Sequence, residues 1–342
     1  MSFSNPASAE TVIETFHIGS RSVPRPSVGL WQRLSPQWGT APLSKIKKRF
    51  QALVEAGFTE FDMADHYGDA ELLFGRFRTR CEDRDRICCA TKICLFEKVD
   101  PTDEVMNAAL SQRIKNVKAQ SIDLCQFYVQ HTLRRHYDNG EHFKALQYLH
   151  NDTRVSSLGA VDFDTLKMEQ ALAAGIALAT NQVQFSLIDS RPTVKMGPLC
   201  VKHGVKLLKY GTLCGGFLAD KWVGESAPAL CGDGMTPSHR KIVAWGGWDL
   251  FHELLEALNA IAKKHGLSVS NVATRWVLDH EYVGAVIVGT RLGVSDRTDE
   301  NPKVYGWRLD DGNLQKIEEV LQKSRREEMF EQMGDCGMEY IH

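Results

Sequence analysis

From about residue 27, short β-rich runs alternate with amphipathic helical segments, and this alternation restricts the possible folds more than any other feature. The β-rich runs are VGLW (28–31), FTEFDMA (58–64), ICCATKICL (87–95), IDLCQFY (122–128), VSSLGAV (155–161), ALATNQV (177–183), VKLLKYG (205–211) and GAVIVGT (284–290). Between them lie helical stripes such as Ile46, Phe50, Leu53 and Val54, then Met106, Leu110, Ile114 and Val117. A later stripe holds Phe251, Leu254, Leu255, Leu258 and Ile261. Spacings of three and four put each set on one helix face. Several β runs are almost wholly apolar, as strands covered on both faces should be. Eight such units at this length predict an α/β fold, a closed (β/α)8 TIM barrel. An open doubly wound sheet would need a glycine-rich turn after its first strand, and GLWQRLSPQWG is not one.

The barrel is expected to occupy one domain over residues 1–342, with its core at about 25–325 and a C-terminal tail at 326–342. FHIGSRSVPRP (16–26) reads as an N-terminal hairpin closing the barrel floor. Residues 213–247, after the seventh strand, read as a long loop that could act as a lid.

Composition narrows the function. A formal net charge of -2 gives no signature of nucleic-acid or anionic-membrane binding. No run approaches the ~18 apolar residues of a membrane span. MSFSNPASAE carries no signal-peptide pattern. Nine cysteines without a CxxC pair suggest reduced thiols in a cytoplasmic protein, monomeric or weakly oligomeric, and no metal site is expected.

Barrels of this kind carry their chemistry at the C-terminal strand ends. Asp62 and Tyr67 flank the second of these strands, and Lys92 lies on the third. Tyr128 and His131 follow at the fourth, Asp162 at the fifth, Gln182 at the sixth and Tyr210 at the seventh. A free tyrosine titrates near ~10. An adjacent ammonium favours the phenolate and should lower that value, and a carboxylate behind it keeps the lysine charged. Such a tyrosine could give a proton to a carbonyl oxygen.

In order along the chain, FDMADHYGDAE, ATK, IDLCQF, TNQVQFSLID, LKYGTLCGGFL and VIVGTRLGVSDRTDEN resemble motifs of the aldo-keto reductases. The resemblance implies Asp62, Tyr67 and Lys92 as catalytic residues, with Tyr67 the acid/base. It implies Tyr210 stacked on a nicotinamide and Gln182, with the residue at 162, on its carboxamide. Arg291, Arg297, Glu300 and Asn301 match the residues that hold the adenosine end. The two arginines suit a 2′-phosphate, so NADP(H) is the implied cofactor.

The sequence departs from that pattern twice. Tyr128 stands where the family has its catalytic histidine, and His131 lies three strand residues, about 10 Å, further on. Asp162 stands where the family has Asn. The leading expectation is NADPH-dependent reduction of an aldehyde, ketone or enone, possible in secondary metabolism, with Tyr128 supplying the hydrogen bond the histidine normally gives. Enone-reducing steroid reductases of the same fold also lack that histidine. The alternatives are a non-redox cyclase, isomerase or dehydratase on the same scaffold, and a non-enzymatic NADPH-binding subunit.

Overall fold

Two short antiparallel strands, β1 (Thr15–Ile18) and β2 (Arg21–Pro24), precede eight parallel strands that close into a barrel. The eight are β3 (Pro26–Gly29), β4 (Glu60–Asp62), β5 (Cys88–Leu95), β6 (Leu124–Val129), β7 (Leu158–Val161), β8 (Thr180–Gln184), β9 (Lys206–Tyr210) and β10 (Val283–Gly289). Each pairs with its sequence neighbour, and β10 returns to pair with β3. The computed structural model describes residues 12–130, 141–229, 235–295 and 297–338. His131 lies outside the described residues.

Helices cover the barrel because their apolar stripes match its outward faces. The first, α1 (Leu43–Glu55), buries Ile46, Phe50, Leu53 and Val54. The rings of Phe50 and Phe61 lie 5.2 Å apart, joining this helix to β4. Next come α2 (Ala70–Arg78), α3 (Asp103–Val117), α4 (Glu141–Asn151), α5 (Thr165–Ala173) and α6 (Met196–His203). Capping sets their ends: Thr102 accepts from the Val105 amide at the start of α3, and Gly204 takes the left-handed conformation after α6.

The segment after β9 departs from the sequence reading. The long loop expected at 213–247 contains α7 (Pro237–Trp245). Its start was visible as a Thr236 cap followed by Pro at the first helical position. Lys241 of α7 donates to Gln184 and Asp189, anchoring the helix beside the end of β8. The expected stripe of Phe251 to Ile261 is buried on α8 (Trp248–His265). A further helix, α9 (Val269–Leu278), was not expected. All of its residues but Ser270 are buried, yet Ser270, Asn271, Thr274 and Arg275 recur at helical spacing behind a Ser268 cap, in a helix of only ten residues. The chain then passes through α10 (Asp311–Leu321) and α11 (Arg326–Met333). No described helix is long and apolar enough to cross a membrane.

The first barrel strand is also shifted from its expected window of 28–31. It begins at Pro26, and Trp31 already belongs to a 3-10 turn. Proline lacks a ladder donor but is tolerated at the first residue of a strand.

The N-terminal hairpin closes the barrel floor, as expected. Phe16, Ile18 and Val23 pack with Cys88, Ala90, Leu124, Leu208 and Ala285 in one apolar cluster. Gly284 is required there, since a Cβ would come within 2.5 Å of the Phe16 ring. Burying a side chain the size of Phe16 stabilises by about 1.5–3 kcal/mol.

Alternation along β4 puts Glu60 on the same inward face as Asp62. Glu60 is 1% exposed, and neither carboxyl oxygen has a hydrogen-bond partner among the described residues. Burial, then the charge of Asp62, pushes its pKa well above the ordinary carboxylate range. The folded protein therefore keeps a proton that the unfolded chain releases above pH ~4.3. Wild-type stability falls as pH rises from there toward the raised pKa, by up to about 1.4 kcal/mol per pH unit. Glu60→Gln has no such proton to take up. Its melting temperature should exceed that of the wild type at pH 8, with the gain shrinking toward pH 4.5. Equal pH dependence of the two proteins in thermal melts would refute a neutral Glu60.

Candidate active site

Four polar side chains from four adjacent or near-adjacent strands meet inside the barrel above Glu60. Lys92 of β5 donates to Asp62 Oδ1 and, at 2.9 Å, to the Met63 carbonyl. Gln126 of β6 and Gln182 of β8 each donate from Nε2 to Asp62 Oδ2 at 2.8 Å. Gln182 Nε2 also donates to Gln126 Oε1 at 2.9 Å. All four residues are buried. Parallel pairing sets this arrangement, since Lys92 is registered against Gln126 and Asp62 against Ala90.

Tyr67 lies on the loop after β4 and is 8% exposed. The Lys92 ammonium sits 5.0 Å from its ring centroid. Burial pushes the Tyr67 phenol above its ordinary range, while the charge of Lys92 pulls it down by less. The sequence reading expected a net lowering; the structure gives a net rise, because desolvation of the phenolate outweighs the ammonium. Burial also acts to lower Lys92, but the adjacent Asp62 carboxylate more than offsets it and holds the lysine charged. The site thus pairs a protonated phenol with a fixed cation able to stabilise the phenolate left after proton transfer.

Two other sequence candidates bond to each other. The Tyr210 hydroxyl donates to Asp162 Oδ1 at 2.9 Å. Asp162 sits at φ 53, in the left-handed region where Asp and Asn are tolerated better than most residues. The backbone therefore accepts Asp in place of the Asn of the family pattern. Residues after α11 pack onto this point. A Cβ at Gly337 would come within 2.2 Å of the Asp162 carbonyl oxygen, Cys336 is 1% exposed, and Asp335 accepts from the Thr165 amide. The segment read from sequence as a tail is thus packed against the barrel mouth through residue 338.

Tyr128, half-buried near the end of β6, belongs to a row of rings. Its centroid is 6.0 Å from Phe96, Phe96 is 4.7 Å from His66, and His66 is 4.7 Å from Tyr67.

Arg291, Arg297, Glu300 and Asn301 line one groove of about 410 Å³, together with Arg49 and Lys221. Gly211 after β9 and Thr290 after β10 belong to the same groove, which places it beside Tyr210. Asn271 of α9 donates to the Glu300 carbonyl at 3.0 Å and fixes the turn that carries Asn301. Arg291 Nε donates to Ser295 at 3.1 Å. A groove with four cationic side chains, two of them on the loop after β10, fits a phosphate-bearing ligand.

Gln126 and Glu60 escaped the sequence reading. A period-two signal could have found both, since each lies two residues before a singled-out residue on the same strand face. Arg49 and Lys221 gave no local signal, because distant segments bring them to the groove.

The profile of the Aldo/keto reductase family matches residues 27–322. The chain is 24% identical over 327 residues to aldo-keto reductase YhdN of Bacillus subtilis (strain 168), covering 92% of this chain and 93% of that protein. It is 26% identical over 289 residues to probable aldo-keto reductase 1 of Glycine max, covering 82% and 79%. Among solved structures, glycerol dehydrogenase AKR11B4 from Gluconobacter oxydans superimposes with a TM-score of 0.75 at 23% identity, covering 91% of this chain and 96% of that one. Aldo-keto reductase AKR11C1 from Bacillus halodurans, in its holo form, gives 0.69 at 18% identity, covering 92% and 97%.

Removing one partner of the Asp62–Lys92 pair strands a buried charge. Asp62→Leu should cost about 3–5 kcal/mol, and Asp62→Leu combined with Lys92→Met should recover much of that loss. Additive losses in denaturant melts would show that the two residues are not coupled.

Proposed function

The chain belongs to the aldo/keto reductase family, and on that premise we propose that it is an NADPH-dependent reductase of an aldehyde, ketone or enone. The observation that carries the reading is Tyr67 beside Lys92, itself paired with Asp62 inside the barrel mouth. NADPH, when bound, supplies the hydride for carbonyl reduction. Arg291 and Arg297 would hold its 2′-phosphate, with Glu300 and Asn301 at the adenosine. Tyr210 would meet the nicotinamide face, and Gln182 and Asp162 would lie at its carboxamide.

The chain's own groups do the proton work. The Tyr67 hydroxyl donates to the substrate oxygen as negative charge develops there. Lys92 stabilises the phenolate that results, and Asp62 keeps Lys92 charged and oriented. Gln126 and Gln182 hold Asp62 by its second oxygen, so the carboxylate cannot swing away. Tyr128 donates a second hydrogen bond to the substrate oxygen in place of the family histidine. The described thiols are all free and seven of the eight are buried, which supports a reducing, cytoplasmic setting. The enzyme works there as a monomer or weak oligomer.

NADPH oxidation against a panel of aldehydes, ketones and enones tests this reading. Turnover should appear with NADPH and fall by at least about a hundredfold in Tyr67→Phe, on the scale of general-acid catalysis. No turnover with any carbonyl, or near-wild-type turnover in Tyr67→Phe, would refute it.

The cofactor preference has its own test. Arg291→Ala should weaken NADPH binding by roughly ten- to a hundredfold, the loss of one charge-assisted contact, and leave NADH binding nearly unchanged. Fluorescence titration reads both affinities, and an equal loss for the two cofactors would place the 2′-phosphate elsewhere.

A further inference from the structure

Beside Tyr67, three groups of different chemistry converge: the Asp65 carboxylate, the His66 imidazole and the Cys94 thiol. One ligand atom from each lies within 4.8 Å of the other two, and all three residues are half-buried. We propose that they form a binding site for a divalent transition metal of the zinc class, separate from the proton-donating groups.

The geometry supports this in detail. Asp65 Oδ1 lies 3.2 Å from His66 Nδ1. Two zinc ligands at bond lengths near 2.0–2.1 Å and a tetrahedral angle stand about 3.3 Å apart. The same separation that serves as a hydrogen bond without metal therefore needs little change to accept one. Asp65 Oδ2 is already held by the Cys94 amide at 2.9 Å, which leaves Oδ1 facing His66. That amide bond also ties β5 to the loop after β4, so ligands from two segments stay in register.

The ligand set selects the metal. A thiolate, an imidazole and a carboxylate suit zinc or cobalt rather than magnesium or calcium, which prefer oxygen alone. Three protein ligands leave a fourth position for solvent or a small ligand. A thiolate and a carboxylate balance a dication. Two cations stand nearby, and both are already offset. Arg113 lies 3.3 Å from Asp65 Oδ2 but also 3.0 Å from the Glu71 carboxylate. Lys92 is paired with Asp62. No short motif announces the site, because Cys94 lies 28 residues beyond the adjacent Asp65 and His66.

Cobalt titration of the whole protein under reducing conditions tests the proposal. Thiolate–cobalt coordination gives a near-ultraviolet charge-transfer band, and tetrahedral geometry gives strong visible absorption. One equivalent of Co²⁺ should produce both, and Zn²⁺ should displace it. Cys94→Ser should abolish the charge-transfer band, while Cys81→Ser, at a buried thiol elsewhere, should leave it intact. His66→Gln should weaken binding by at least about tenfold and serves as the second arm if circular dichroism shows Cys94→Ser misfolded. Absence of the band, its survival in folded Cys94→Ser, or unchanged affinity in His66→Gln would each overturn the site.

Discussion

The Asp62 carboxylate organises the interior of this barrel. It accepts hydrogen bonds from Lys92, Gln126 and Gln182, side chains of β5, β6 and β8. Few single groups join that many strands. A buried carboxylate carries a desolvation cost of several kcal/mol, recovered only when its lone pairs are filled and an opposite charge is close. Here both conditions are met, and the same contacts that satisfy Asp62 fix the lysine beneath Tyr67. Stability and the placement of the Lys92 ammonium beside Tyr67 are therefore one problem with one solution. The register of the parallel ladder is part of it, because sliding β5 by one residue would turn Lys92 out of the barrel.

The alternation of strands and helices was readable because it depends on local periodicity. Every expected strand is present within a few residues, and the stripes of α1 and α8 are buried as read. The exceptions have physical reasons. At ten residues, α9 is shorter than the roughly 11–18-residue window over which a helical period is read, so its stripe of Ser270, Asn271, Thr274 and Arg275 stands out weakly. A helix inside a Gly- and Pro-rich stretch, such as α7, is masked by its surroundings even when its cap is plain.

For the site, sequence could name the residues but not their mutual contacts. Asp62, Lys92 and Tyr67 meet as their strand-end positions suggested. The bond between Tyr210 and Asp162 was not foreseeable, because it links the end of β9 to the turn after β7, past the intervening β8. The direction of the Tyr67 shift also escaped the sequence, since it depends on how deeply the ring is buried. Charge partners can be guessed from types and order, but desolvation is a property of the packed molecule.

The hairpin floor has a consequence for traffic. With Phe16, Ile18 and Val23 filling the lower end, and the buried Glu60 lying between them and Asp62, the barrel is a cup open at the strand C-termini. In the reaction proposed above, substrate, product and each proton that replenishes the phenol would share that rim. A molecule seated in the mouth would stand between the phenol and bulk water and could draw on one stored proton. On that reading, exit from the mouth and recharging of the phenol are the same event.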